Sequence, residues 1–519
     1  MAFTKVFSGS LFLSGLFFWS LLFIGTSASP AYVPSPISWG ECPDLVDSAP
    51  YKECGTLAVP IDWDAPYLGH FPLSVSRIRA KGIKKTGSLF LDFTTPGDNQ
   101  MDWFHGDLRI FGVEMLDAFD FILVSPRGLS FDYNITCDPK LLEEANLRHA
   151  SPFKNQSDFN RKVQINARLA QSCREASGPL FEHLDYVRYV GPFEELHLTQ
   201  YLISYSRAKD FEAVRIALDP NEPFNYFGIL SNNVAAMAYA ELFPNHIRTM
   251  VFDTPFPPSL SEEEAHAMAS TTGERIFKNW AIWAGVHFKP FQNMDVGALW
   301  IELVDKANKS PIPTPNCHHS SCKNGVDGYS LILMAQTYLL HPSKNRQGTT
   351  WASLAEHTWN AYRGDASDFA NTLWDGGRGL NWGANLGFAC RTFRTISNGI
   401  SASRDQESYR ISWPYLRGIG GQTWVDDHCV GWPLPTQHPK KKFNIRTKNP
   451  IMLAAVDRAA KTDDWARILR KEIPNSVLVT QVGETWLTFF TKGEAWSVML
   501  RYLLTAEPPK EDFVYPAID

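Results

Sequence analysis

The feature that most constrains this chain is the stretch 224–244, FNYFGILSNNVAAMAYAELFP. A short apolar strand over 224–229 runs into a turn, and an Ala-rich helix over 234–243 follows. A strand, sharp turn and helix in this order commonly carry an exposed nucleophile at the apex, with small residues two before and two after it. Gly228 fills the first small position, but the apex is Leu230 and the closing residue Asn232. Leucine cannot attack a carbonyl. Ser231 lies one residue along and is the alternative nucleophile, yet centring the turn on it would put Ile229 and Asn233 where only small side chains fit. By that test Ser231 reads as a turn residue bonding nearby backbone.

Short apolar runs alternate with helical patterns through the first half. Residues 54–62 and 73–79 read as antiparallel entry strands, and 88–93, 119–125, 224–229 and 250–253 as fully apolar central strands. A helix over 201–218 precedes the elbow strand. The alternation implies a doubly wound, mostly parallel α/β sheet. From 259 to 442 the pattern turns to helices and loops holding ten of the 17 tryptophans, and alternation then resumes with strands at 450–456 and 476–482. The expected organisation is therefore a leader over 1–28, a first core segment over 29–258, a helical lid insertion over 259–442 and a second core segment over 443–519. The tryptophans either line an apolar cavity or supply the insertion's own core.

With 519 residues and a net charge of −6, oppositely charged residues interspersed, the composition argues against nucleic acid as the main partner. The first 28 residues carry one lysine, an apolar run and then small residues, the pattern of a secretory signal, with an uncleaved membrane anchor as the alternative. In that setting eight cysteines read as disulfides, and local pairing gives Cys42 with Cys54, Cys137 with Cys173, Cys317 with Cys322 and Cys390 with Cys429. The cluster Cys317, His318, His319 and Cys322 could also be read as a metal site, but it lacks a second ligand pair, so no metal or cofactor is expected. Glycosylation sequons begin at Asn134, Asn155 and Asn308.

Several segments together resemble the secreted tripeptidyl aminopeptidase and prolyl iminopeptidase-like family of α/β-hydrolases. They are ECGTL at 53–57 with VPIDW at 59–63, PRG at 126–128, AKDFEAVR at 208–215, the elbow, CVGWP at 429–433 and NPIML at 449–453. The resemblance implies an α/β-hydrolase fold and a Ser, His and Asp triad. It places the nucleophile nine residues before Tyr239 of the helix end YAELFP, which is Leu230. The acid position is Asp457, retained. The base position, in a Gly-His pair after the last strand, reads Gly483 and Glu484. Thr94 and Thr95 stand where two glycines of the oxyanion turn would be, with Asp98 and His105 as weaker contacts at its mouth. Loss of a single oxyanion donor typically costs about a hundredfold in rate.

These replacements lead to the expectation of a non-peptidase hydrolase-like enzyme. In it, Asp457 and Glu484 share one apolar site with their pKa values pushed apart, and act as acid and base on a small apolar metabolite in a biosynthetic pathway. Epoxide opening or cyclisation would suit such a pair. Two alternatives stand beside it: a catalytically dead pseudohydrolase that binds a partner, with Asp457 only capping a helix and Glu484 only solvated, and a secreted exopeptidase with a shifted nucleophile at Ser231.

Overall fold

A computed structural model describes residues 32–42, 52–93, 111–129, 134–147, 153, 155–184, 188–190, 202–204, 206–318, 322, 324–339, 350–370, 383–384, 386–387, 390, 407–419, 427–433, 442–457, 462–483, 487–491 and 493–517. The leader at 1–28, Thr94, Thr95, Asp98, His105 and Glu484 lie outside the described residues.

Residues 34–519 form one compact unit around a ten-stranded sheet. Its strands are β1 (Ser38–Gly40), β2 (Lys52–Pro60), β3 (His70–Ile78), β4 (Gly87–Asp92), β5 (Phe119–Val124), β8 (Phe224–Ile229), β9 (Ile247–Asp253), β12 (Ile451–Asp457), β13 (Ser476–Val482) and β14 (Phe513–Tyr515). Two small hairpins complete the strand count, β6 (Arg188–Val190) with β7 (Leu202–Ser204) and β10 (Ile312–Pro313) with β11 (Gly325–Val326). The order across the sheet is β1-β2-β3-β5-β4-β8-β9-β12-β13-β14. β1, β2, β3 and β5 pair antiparallel, and every pairing from β5–β4 onward is parallel. This is the α/β-hydrolase fold. All six residues of β4, β5 and β8 are buried, as parallel strands covered on both faces require.

The helices are α1 (Gly112–Ala118), α2 (Pro139–Leu147), α3 (Gln156–Ser177), α4 (Ser206–Leu218), α5 (Asn233–Leu242), α6 (Glu262–His287), α7 (Val296–Lys309), α8 (Gly328–Leu339), α9 (Trp351–Tyr362), α10 (Thr462–Glu472), α11 (Thr488–Thr491) and α12 (Glu494–Thr505). The helix expected over 201–218 begins only at Ser206, because Leu202–Ser204 pairs as β7. Helices α6 to α9 fall between β9 and β12 and share a hydrophobic cluster of their own. Trp280, Trp300 and Trp351 are buried in it, each donating its indole N–H to a backbone carbonyl, of Trp351, Tyr415 and Leu339 respectively. These three tryptophans supply a core, and none of them lines a cavity mouth.

The segments that carry the family resemblance converge on one buried ion pair. Arg127 of PRG donates from Nε to Asp210 Oδ2 at 2.9 Å and from Nη2 to Oδ1 at 2.7 Å. Its remaining N–H groups reach the carbonyls of Ile61 and Pro60, and Trp63 Nε1 donates to Asp210 Oδ1 at 2.8 Å. The side chains of Arg127 and Asp210 are 2 % and 0 % exposed. One turn earlier on α4, Arg207 donates to the carbonyls of Val124 and Ser125 and to Asp92 Oδ1 at 3.2 Å. Together these bonds bind the ends of β2, β4 and β5 to the helix that precedes the elbow.

All four expected disulfides are present, Cys42–Cys54, Cys137–Cys173, Cys317–Cys322 and Cys390–Cys429, with no free cysteine among the described residues. The Cys317 and Cys322 thiols are thereby consumed, which removes the metal reading. Four bridges mark a chain that folds in an oxidising compartment. Among the described residues no helix is long and apolar enough to cross a membrane.

The ion pair supplies a direct test of the fold. Arg127→Met strands Asp210 as an uncompensated buried charge and should cost about 3–5 kcal/mol in denaturant unfolding. Adding Asp210→Leu should return much of that loss. A single variant within about 1 kcal/mol of the parent would show that Asp210 is solvated after all.

Candidate active site at the elbow

In open α/β sheets the crevice for a ligand lies outside the carboxyl ends of the strands, where the chain reverses its direction of travel across the sheet. Here β4 leads to β5 on one side and pairs with β8 on the other, so the ends of β4 and β8 meet at that point, with Asp92 opposite Gly228. Leu230 follows immediately.

Leu230 holds φ at +53°, the left-handed conformation that leucine adopts at a cost of about 1–2 kcal/mol. The strained apex of a nucleophile elbow is therefore built, and built on Leu230 and not on Ser231. Gly228 is obligatory beneath it, since a Cβ there would stand 2.6 Å from Cζ of Tyr226. The hydroxyl of that ring donates to the carbonyl of Asn232 at 3.4 Å, closing the turn from below. Asn232 Nδ2 donates to the carbonyl of Asp92 at 3.2 Å, and the Asn233 amide donates to the carbonyls of Leu230 and Ser231. The Leu230 side chain, half-buried, packs on the apolar cluster that contains Phe93, Phe227, Leu487 and Phe489. Ser231 is half-buried in the 3-10 turn Leu230–Asn232, and its hydroxyl has no hydrogen-bond partner among the described residues.

The acid position lies at the same edge. Asp457 is the last residue of β12, half-buried, and stands opposite Val482 of β13. Its carbonyl accepts from the Gly483 amide at 3.1 Å. Leu230 thus follows β8, and Asp457 ends β12.

Sequence reasoning missed Asp253, the last residue of β9, opposite Ile229. It is fully buried, and its carboxylate accepts the Thr488 amide at 3.2 Å and the Phe489 amide at 3.0 Å, at the start of α11. Thr254, held at φ +54°, donates its hydroxyl to the same carboxylate at 3.2 Å. Asp253 is thus the anchor for the chain returning from β13, where the family's base would sit. Burial pushes its pKa up to about 6 despite the bonds that favour the ionised form. The available signal was a carboxylate ending an otherwise apolar strand, too common to single out.

A family profile described as TAP-like protein matches residues 418–514, which include Asp457 and Glu484. The tripeptidyl aminopeptidase of Streptomyces lividans is 22% identical over 471 residues, covering 86% of this chain and 80% of that protein. These matches support a resemblance to the tripeptidyl aminopeptidase-like α/β-hydrolases. The serine protease Hip1 of Mycobacterium tuberculosis is 26% identical over 230 residues, covering 44% of this chain and 40% of its own length. The crystal structure of a proline iminopeptidase from Mycobacterium smegmatis covers 87% of this chain at 11% identity, with a TM-score of 0.38.

These relatives overturn the expected chemistry. The relative that covers 86% of the chain carries a tripeptidyl aminopeptidase name and Hip1, over 44%, a serine protease name, which removes the basis for epoxide opening or cyclisation of an apolar metabolite. The pairing of Asp457 with Glu484 on which that expectation stood is also unsupported: Asp457 is only half-buried at its strand end, and Glu484 lies outside the described residues.

The buried carboxylate gives a pH prediction. Folded Asp253 holds its proton up to about pH 6, against 3.8 when exposed, so the folded state binds more protons between these values. Its contribution to stability is therefore full below about pH 4 and declines as pH rises to about 6, by roughly 3 kcal/mol in all. Asp253→Asn should remove that slope. Melting curves of parent and variant from pH 4 to 7 test it, and parallel pH profiles would show that Asp253 does not titrate in this window.

Proposed function

We propose that this TAP-like hydrolase is a secreted serine exopeptidase acting at the N-terminal end of peptides, with Ser231 as its nucleophile. The observation that carries the proposal is Ser231 itself: a half-buried hydroxyl, unpartnered among the described residues and next to a strained elbow apex at the sheet's ligand-binding edge. The match to a tripeptidyl aminopeptidase along 86% of the chain supports the substrate class. In this mechanism Glu484, at the base position, accepts the Ser231 proton as Oγ attacks the scissile carbonyl. A carboxylate placed within hydrogen-bond reach can serve as such a general base. Asp253 holds the start of α11, which comes shortly after Glu484 in the sequence.

One observation favours a second reading. The apex is leucine, and its side chain rests on the aromatic cluster, so the elbow can survive as architecture in a pseudohydrolase that binds peptides without cleaving them.

The two readings separate cleanly. For an exopeptidase, a fluorophosphonate should label the secreted protein at Ser231, and Ser231→Ala should abolish both labelling and release of a tripeptidyl anilide. Glu484→Gln should slow release by about a hundred- to ten-thousandfold while the fold is kept. Peptide binding without label or turnover, unchanged in Ser231→Ala, would establish the pseudohydrolase.

A further inference from the structure

We infer that Asn155 carries an N-linked glycan, and that the same side chain caps the helix it begins. The residues 155–157 read Asn-Gln-Ser, an acceptor sequence for this modification. Asn155 is exposed and extended, at φ −165° and ψ 176°, immediately before α3, a helix of 22 residues. Its Oδ1 accepts the Asp158 amide at 3.0 Å, satisfying one of the N–H groups that a helix start leaves unpaired.

That bond divides the work of the amide group. The oxygen is turned in toward the helix, so the nitrogen, the atom that takes the sugar, is on the side away from the Asp158 amide. Glycosylation leaves the carbonyl in place and removes one N–H, so the cap survives the modification. The apolar face of α3, with Phe159, Ile165, Leu169 and Cys173 buried, lies on other positions of the helix and is not crowded by a glycan at its start.

The other two sequons are held differently. The Asn308 oxygen lies 2.7 Å from where a Cβ on Gly328 would stand, so its side chain is pressed against the start of α8. Asn134 sits in an isolated bridge with Leu129, and both the amide and the carbonyl of Thr136 in its sequon are bonded to Ser177 Oγ.

The four disulfides fit an oxidising environment, a condition that the compartment making this modification also meets. The donor is a lipid-pyrophosphate-linked oligosaccharide. Asn155 Nδ2 attacks C1 of its first sugar, the N–C1 bond forms as the C1–O bond to pyrophosphate breaks, the lipid pyrophosphate leaves with the electron pair, and the transferase's base takes the amide proton.

The test uses the full chain secreted by a eukaryotic host. Peptide N-glycosidase release in heavy-oxygen water should convert Asn155 to isotopically marked aspartate in the peptide map. Ser157→Ala should remove one glycan's worth of mobility on a gel while leaving the melting temperature of the deglycosylated protein unchanged, because the cap remains. Asn155→Asp should behave in the same way, since aspartate caps as well as asparagine. Asn155→Ala should lose the glycan and also melt earlier. An unmarked Asn155 in the parent, or a mobility untouched by Ser157→Ala, would overturn the assignment. So would an Asn155→Ala melting temperature equal to that of Ser157→Ala, which would remove the capping half of it.

Discussion

The buried pair Arg127–Asp210 is the constraint around which the first half of the molecule is arranged. A guanidinium taken fully out of water must have its donors satisfied, and Arg127 finds partners in the Asp210 carboxylate and the Pro60 and Ile61 carbonyls. Those partners come from α4 and the end of β2, so satisfying one residue brings three distant segments together. Arg207, one turn away on α4, does the same for the ends of β4 and β5. Through Asp92, which pairs with Gly228, the Arg207 network reaches the strand end from which Leu230 and Ser231 emerge.

This explains why the fold was legible in the sequence. The motifs VPIDW, PRG and AKDFEAVR are the parts of that polar network, and a network with exact donor and acceptor needs leaves recognisable residues at fixed spacings. Runs such as Phe224–Ile229 are apolar throughout because both faces of the strand are covered, which is a signal without a competing explanation. The cysteines paired locally because each bridge closes a short stretch of chain, the longest spanning 39 residues. The start of α4 was misplaced for a physical reason as well: Leu202–Ser204 has helix-compatible apolar residues, and only the pairing with Arg188–Val190 makes it a strand.

The site was legible only in outline. The elbow could be placed on Leu230 from spacing alone, and the positive φ there agrees. What replaces the missing chemistry could not be read, because the residue types at 230 and 484 say what is lost without saying what a substrate meets. The inference to apolar metabolites leaned on tryptophans, and Trp280, Trp300 and Trp351 are occupied in holding helices together. Asp253 was invisible for the opposite reason: its importance lies in which backbone amides it receives, and those belong to residues 235 and 236 positions further along the chain.

The helical block between β9 and β12 has one more property that follows from its packing. Its cluster, centred on Phe277, Trp280 and Trp300, shares no residue, among the described ones, with the cluster around Phe93, Phe227 and Phe489 beneath the sheet. Two apolar cores in one chain can melt as two cooperative units, each protected from hydrogen exchange to its own depth. The block can therefore open at a free energy set by its own indoles and helices, with the sheet and its buried arginines intact throughout.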